Sequence, residues 1–312
     1  MTVSTAQPAP SLVDALGTIP MDAPYYNEIV KTASRAVPAD RRLPPAQPGA
    51  VMAAFDAWRR MDPACAIDLI MPLMPDHSDA CMTAALIASV PSPLSFHNHH
   101  HVREVVCLAM LMAQGRPLQF QRELFIAACI HDFGHDGHGN RISGGHVPMR
   151  LERQALEYAY PYLRAAGLSD DEWLRIAVMV LATDVSKSQT HGTSPSEWLR
   201  RALRGEPSQN CPPDLLPLFD DETLCHQAAI LEDADLGTSA ALPYEHATRM
   251  TALIAAETGT LEPAPKTLIN FLQNICHGAF LTREALELFG DNAAVLLARA
   301  RGEAADTVYK AA

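Results

Sequence analysis

Apolar residues recur along most of this chain at the three-to-four-residue spacing of helices, and no strand-length run alternates between apolar and polar. From Val51 onward the spacing predicts helices over Val51–Met61, Ala64–Met74 and Ser78–Ser89, separated by Pro63, Pro75 and Pro91. A longer helix follows over His97–Gln114, with Val102, Val105, Val106, Leu108, Ala109 and Leu111 as its buried stripe. Gln121–Phe133 reads as the central helix, because its apolar run Leu124–Ile130 suits complete burial. Pro148–Ala166 and Ser169–Thr183 come next, split by Gly167, with Ser169 as N-cap and acids at 170–172 at the positive helix end. The stretch 186–221 is looser and proline-punctuated, with one helix over Pro195–Arg204. Glu222–Asp235, Pro243–Glu257, Lys266–His277 and Thr282–Arg301 complete the set. No segment repeats with a solenoid period. The expected fold is therefore all-α, a compact multi-helix bundle built by residues 51–312.

Residues 1–50 carry prolines at 8, 10, 20, 24, 38, 44, 45 and 48, which remove donors and bias the preceding residues away from helix. This segment reads as an arm wrapping the body or a mobile tail, with short helical pieces around Tyr25–Ala36. Such an arm would cover a pocket or pair with another subunit in a homodimer.

Composition narrows the function. A net charge of −12 without a Lys/Arg cluster argues against binding a nucleic-acid polymer. A small anionic substrate stays compatible if a cation supplies positive charge locally. The seven cysteines (65, 81, 107, 129, 211, 225, 276) form no CxxC pair, and Cys107 and Cys129 sit in apolar helical runs, which suits a reducing compartment. Met71, Met74, Met110 and Met112 read as core filler. The start MTVSTAQPAP lacks the basic and apolar regions of a leader, and no run is long and apolar enough to span a membrane, so a cytoplasmic location is expected.

The chemistry concentrates in two short stretches. LFIAACIHDFGHDGHGN (124–140) ends an apolar helix in His131 and Asp132, places His135 four residues after His131, and then breaks at glycines 134, 137 and 139. Polar groups at the end of a dry helix need partners. FHNHHHVREV (96–105) sets His97 and His101 four residues apart, which on a helix puts both imidazoles on one face. His101, His131 and Asp132 together supply three donors suited to a divalent cation. The helix Glu222–Asp235, ending LEDADLGTS, offers Asp235 as the fourth.

The ordered series FHNHHH (96–101), HDFGHDGHGN (131–140), LE (151–152), LATD (181–184) and ADL (234–236) resembles the catalytic domain of class I cyclic-nucleotide phosphodiesterases, within the HD-domain metal-dependent phosphohydrolases. The resemblance covers about residues 96–280. It implies a helical domain holding two divalent cations, zinc in the tighter site and magnesium or manganese in the other. His101, His131, Asp132 and Asp235 would hold the first, with Asp132 bridging to the second. His135 and Glu152 would orient waters and phosphate, His97 would be the general acid, and Glu104 matches the acid that follows the ligand histidine. The implied reaction is hydrolysis of a small phosphodiester, a 3′,5′-cyclic nucleotide or related phosphoester, by a hydroxide formed between the cations. Acids such as Glu152 and Glu104 would fix imidazole tautomers.

The substrate end departs from the pattern. Phe271 takes the place of the aromatic clamp on the base, yet the base-reading glutamine three residues earlier is Leu268, and Thr238 stands where the family often has asparagine. Phe271 also fits as plain core, Thr183 and Asp184 as packing and capping groups, and His99, His100 and His138 as solvated or supporting histidines. His146 and His191 are read the same way, with an approach to the substrate open to either. Two other readings share the motif. One is a different HD-domain chemistry, a phosphomonoesterase or a di-iron oxygenase needing iron and further histidine ligands. The other is a ligand-binding sensor that keeps the metal site.

Overall fold

The computed structural model describes residues 43–311, except 45, 61–69, 91, 143–144, 187–191 and 260–263. Most of the arm and the expected pieces at Tyr25–Ala36 lie outside the described residues, as does His191. Thirteen α-helices follow in chain order among the described residues. They are α1 (Pro48–Trp58), α2 (Asp79–Ala88), α3 (His99–Met112), α4 (Leu118–Ile130), α5 (Arg150–Ala165), α6 (Asp170–Ala182) and α7 (Pro195–Leu203). Then come α8 (Pro217–Asp220), α9 (Glu222–Ala240), α10 (Tyr244–Thr258), α11 (Ala264–Asn270), α12 (Arg283–Phe289) and α13 (Asn292–Ala311). The sole described extended structure is a two-residue antiparallel ladder, β1 (Arg141–Ile142) with β2 (Gly145–His146). The fold is all-α, and no described helix is long and apolar enough to cross a membrane.

The core forms where α9 lies against α3, α4 and α6, and α4 lies against α2 and α3. Helix α4 buries Leu124 through Ile130 without a break, as a helix apolar all round must. Met71, Met74, Met110 and Met112 are buried, and so are Cys107 and Cys129. The α6 start is a capping box: Ser169 Oγ accepts from the Glu172 N–H and Glu172 accepts from the Ser169 N–H.

Several boundaries differ from the sequence pattern, each for a physical reason. Helix α9 does not stop at Gly237 but continues to Ala240. A Cβ at Gly237 would stand 3.2 Å from Leu108 Cδ1, so this glycine serves the close approach of α9 to α3 rather than a turn. Helix α3 begins at His99, because Asn98 is its N-cap: Oδ1 accepts the His100 N–H at 2.9 Å while Nδ2 donates to the Leu94 and Ser95 carbonyls. His97 therefore precedes the helix instead of sharing its face with His101. The expected Lys266–His277 helix is α11 followed by a widened π turn over Phe271–Ile275. Thr282–Arg301 is two helices, broken at Gly290. In the Ala64–Met74 stretch only a 3-10 turn at Met71–Leu73 is described beyond Ile70.

Candidate metal centre

Three separate chain segments bring four donor groups to the inner end of the core. His101 comes from the first turn of α3, His131 caps the C-terminal end of α4, Asp132 follows it, and Asp235 projects from the middle of α9. His101 Nε2 lies 3.1 Å from Asp235 Oδ1 and 3.4 Å from Asp132 Oδ2. His131 Nε2 lies 3.2 Å from Asp132 Oδ2 and 3.9 Å from Asp235 Oδ1. His131 Nδ1 faces the Ala128 carbonyl at 2.9 Å, which can only accept, so the ring proton sits on Nδ1 and Nε2 keeps its lone pair.

Burial disfavours charge on His101, His131 and Asp132, and the attraction between opposite charges outweighs it. His101 is pushed up to about 10 by hydrogen bonding to Asp132 and Asp235, and His131 is raised by the charge of Asp132. Asp132 is held well below the usual carboxylate range, first by His131. The Nε2 atoms of both histidines are buried without an aligned hydrogen-bond partner. Two imidazole nitrogens and two carboxylates of opposing charge preference, with orphaned lone pairs at their meeting point, fit a divalent cation. Protons and a cation would compete for the same donors.

A second group sits beside the first. The rings of His97 and His135 stack at 3.8 Å between centroids, and His97 Nδ1 makes a short hydrogen bond to Glu257 Oε1. The other Glu257 oxygen accepts the backbone N–H groups of Phe96 (2.8 Å) and His97 (3.2 Å). Burial works against its charge, but the bond from His97 and these amides bring the Glu257 carboxyl down to about 2. The Gly137 N–H donates to His135 Nδ1 at 3.1 Å, leaving the proton of neutral His135 on Nε2. Burial, reinforced by His97, lowers His135 to about 4. Gly134 makes the chain reversal before His135 possible: its φ is +76° and a Cβ there would meet the Tyr158 ring at 2.6 Å.

A cavity of about 360 Å³ opens from these groups, and His97, Asp132, His135, Glu152 and Asp235 line it. Glu152 accepts from Asn140 Nδ2 at 3.1 Å, and burial, then the nearby charge of Asp184, push its carboxyl up to about 8. Asp184 accepts from the Met149 and Ser186 N–H groups and also lines the cavity. The far wall is Phe271 with Leu236, Ile254 and Ile275, and its polar members include Thr267, Asn270, Ser239 and Thr251.

Several sequence expectations are redirected. Leu268 is 0% exposed in the core, and the cavity is met by its neighbours Thr267 and Asn270. Thr238 is also 0% exposed, its hydroxyl donating to the Asp235 carbonyl at 2.9 Å, so it steadies the helix under Asp235 and does not face the cavity. Glu104 does not fix the His101 tautomer. It holds Arg59 through paired bonds of 2.7 and 2.8 Å, and His101 Nδ1 has no partner. His99 is buried rather than solvated, and His146 hydrogen-bonds Ser186 at 2.6 Å without reaching the cavity. The residues that sequence reasoning missed are Glu257 and Asn140. Glu257 ends a predicted helix with no motif around it, whereas Asn140 closes the glycine-rich turn, where a polar side chain followed by a helix was a usable signal.

The donor cluster does not lie in the larger groove of the described surface. A groove of about 580 Å³ at Arg116, Phe120 and His226 is larger, but its cations are matched internally, Arg175 to Glu123 and Asp221, Arg116 to Glu284.

No protein-family model matches the chain, and no curated protein matches it in sequence. Among solved structures the fold is similar to the Leishmania protein LmjPDEB1 in complex with IBMX, at a TM-score of 0.63 and 15% identity. That likeness covers 91% of this chain and 99% of the other. It is a likeness of fold.

Proposed function

We propose that the protein is a cation-dependent hydrolase of small phosphodiesters, 3′,5′-cyclic nucleotides or related phosphoesters. One observation carries this reading: His101, His131, Asp132 and Asp235 converge from distant segments with buried, partnerless ring nitrogens, beside an imidazole held by a carboxylate. The fold shared with LmjPDEB1, a phosphodiesterase bound to IBMX, supports it. His101, His131, Asp132 and Asp235 would hold a zinc ion, and Asp132 would be shared with a second cation, magnesium or manganese, near His135 and Glu152. When bound, the cations supply Lewis acidity to the phosphoryl oxygens and lower the pKa of water.

The remaining work belongs to side chains. Glu257 anchors His97 Nδ1, so the proton on Nε2, across the ring from Glu257, is the one available to a departing oxygen. His135 keeps a neutral N–H on Nε2 for a phosphate oxygen or water. Phe271 offers a flat apolar face to a base, and Thr267 and Asn270 offer polar contacts at its edge.

A second reading has one observation behind it. His97, His135 and Glu257 each offer an atom within 4.8 Å of the others, as a further cation site in a di-iron oxygenase would need. Their hydrogen bonds weigh against it, because the Gly137 N–H occupies His135 Nδ1 and Glu257 occupies His97 Nδ1. The deciding experiment is a screen of metal-reconstituted protein across cyclic nucleotides, linear phosphodiesters and phosphomonoesters, with elemental analysis and oxygen uptake recorded. Chelator-sensitive diester cleavage is expected. Iron-dependent oxygen consumption without phosphate chemistry would replace this reading with the oxygenase one.

A further inference from the structure

Two cavities meet at the reaction centre. Besides the one that ends at Phe271, a second of about 290 Å³ is lined by the same His97, Asp132 and His135. Its other walls are mainly apolar, with Ile87, Val90, Pro93, Val102 and Phe133 among them. The polar members are mostly committed elsewhere: Asn98 is consumed in capping α3, and Ser92 Oγ accepts the Leu94 N–H. His99 is the exception, 8% exposed with both ring nitrogens lacking a partner.

We propose that the second cavity receives the leaving alcohol of a linear phosphodiester whose other arm lies along Phe271. The inference rests on the hydrolase reading above and names its substrate class: diesters with two separate arms, the departing one apolar. Displacement at phosphorus needs the departing oxygen within reach of His97, the acid. His97 is tied to Glu257 through Nδ1, so the departing oxygen must approach its other nitrogen. The carbon chain on that oxygen must then continue past His97, and among the described residues the second cavity is a space beside His97 apart from the Phe271 cavity. A cyclic ester keeps its departing oxygen tethered to the group that fills the first cavity and has no use for the second. In the step itself a P–O bond forms to water, the P–O bond to the alcohol breaks, and His97 gives a proton to the alcohol oxygen. The proton lost by water restores His97, so water supplies OH to phosphorus and H to the alcohol.

The test uses the full-length, metal-loaded protein and mixed diesters of one nucleoside 5′-phosphate with alcohols from methyl to n-butyl. Each added methylene should raise kcat/KM about 3- to 4-fold by burial, making the butyl-to-methyl ratio roughly 30 to 60. Val90→Phe or Ser92→Phe, checked for unchanged metal content, should bring that ratio close to one. Titration with n-butylphosphonate and methylphosphonate, which are not hydrolysed, should show the same preference and the same loss. A flat alcohol dependence in the unaltered protein, or a preference that survives in both variants, overturns the inference. If esters are cleaved without regard to alcohol length, the two-armed substrate falls and the hydrolase stands. If no phosphoester is cleaved, the hydrolase reading falls, and the phosphonate titration still decides whether the second cavity takes an alkyl arm.

Discussion

The donor cluster and the Phe271 wall face each other across one cavity, and they were specified in different ways. The cluster draws His101, His131 and Asp132 from helix ends, the last two beside a glycine turn, where chemistry-bearing residues stand out from an apolar background, and only Asp235 from inside a helix. The wall uses α11 and the π turn, where every residue is compatible with plain core, and a widening of one turn decides which side chains emerge. Leu268 and Phe271 are three apart, as a helix face requires, yet one is sealed in the core and the other lines the cavity. A motif therefore locates the donors, whereas the lining of the cavity depends on a register that short motifs do not encode.

The largest effect should come from the cluster. Asp235→Ala removes a donor and is expected to lower bound metal by one equivalent in elemental analysis and cut turnover by about 10³-fold. Unchanged stoichiometry would remove Asp235 from the ligand set and weaken the contrast at its root.

Next in size are the two residues beside the cluster. His97→Ala should slow diesters with poor alkyl leaving groups by roughly 10²–10⁴-fold while sparing metal content and p-nitrophenyl esters. Glu257→Gln should give the same pattern more weakly. Equal slowing of both ester types would show that His97 is not the acid.

The wall gives smaller, sharper effects. Leu268→Gln places an amide in the dry core and should cost about 1–3 kcal/mol, read as a fall of several degrees in Tm, with no gain on cyclic purine nucleotides. Asn270→Ala should raise KM about five- to tenfold at constant Tm. A gain in activity from Leu268→Gln would mean the wall turns the other way.

The smallest effect is a pH slope. The folded-state carboxyl of Glu152, pushed from the ordinary 4.5 up to about 8, binds a proton that the unfolded chain has released. Its contribution to stability is complete below about pH 4.5 and is lost as pH rises toward 8. In chelator-treated protein, Glu152→Gln should raise Tm relative to the parent at pH 8 and flatten the decline between pH 5 and 8. Parallel melting curves for the two proteins across that range would place Glu152 in a wetter setting.

Much of this was readable before any coordinates. Helical spacing with no strand alternation set an all-α fold, and the N-cap at Ser169 is where side-chain chemistry puts it. The HD pair and His101 announced themselves because buried helices rarely end in unpaired imidazoles and carboxylates. Glu257 stayed silent for the opposite reason. An acid at a helix end is ordinary, and only the fold of α10 against the 96–97 segment gives it His97.

What the sequence by itself determined is therefore the class of fold and the chemistry of the donors, since periodicity and residue type act locally. Tertiary structure alone decided that Asp235 reaches His101, that Gly237 lets α9 approach α3, that Glu104 serves Arg59, and which wall residues line the cavity. Those outcomes depend on how far apart and at what rotation two helices pack, and the packing is a sum over many side chains with no signature in any one stretch of chain.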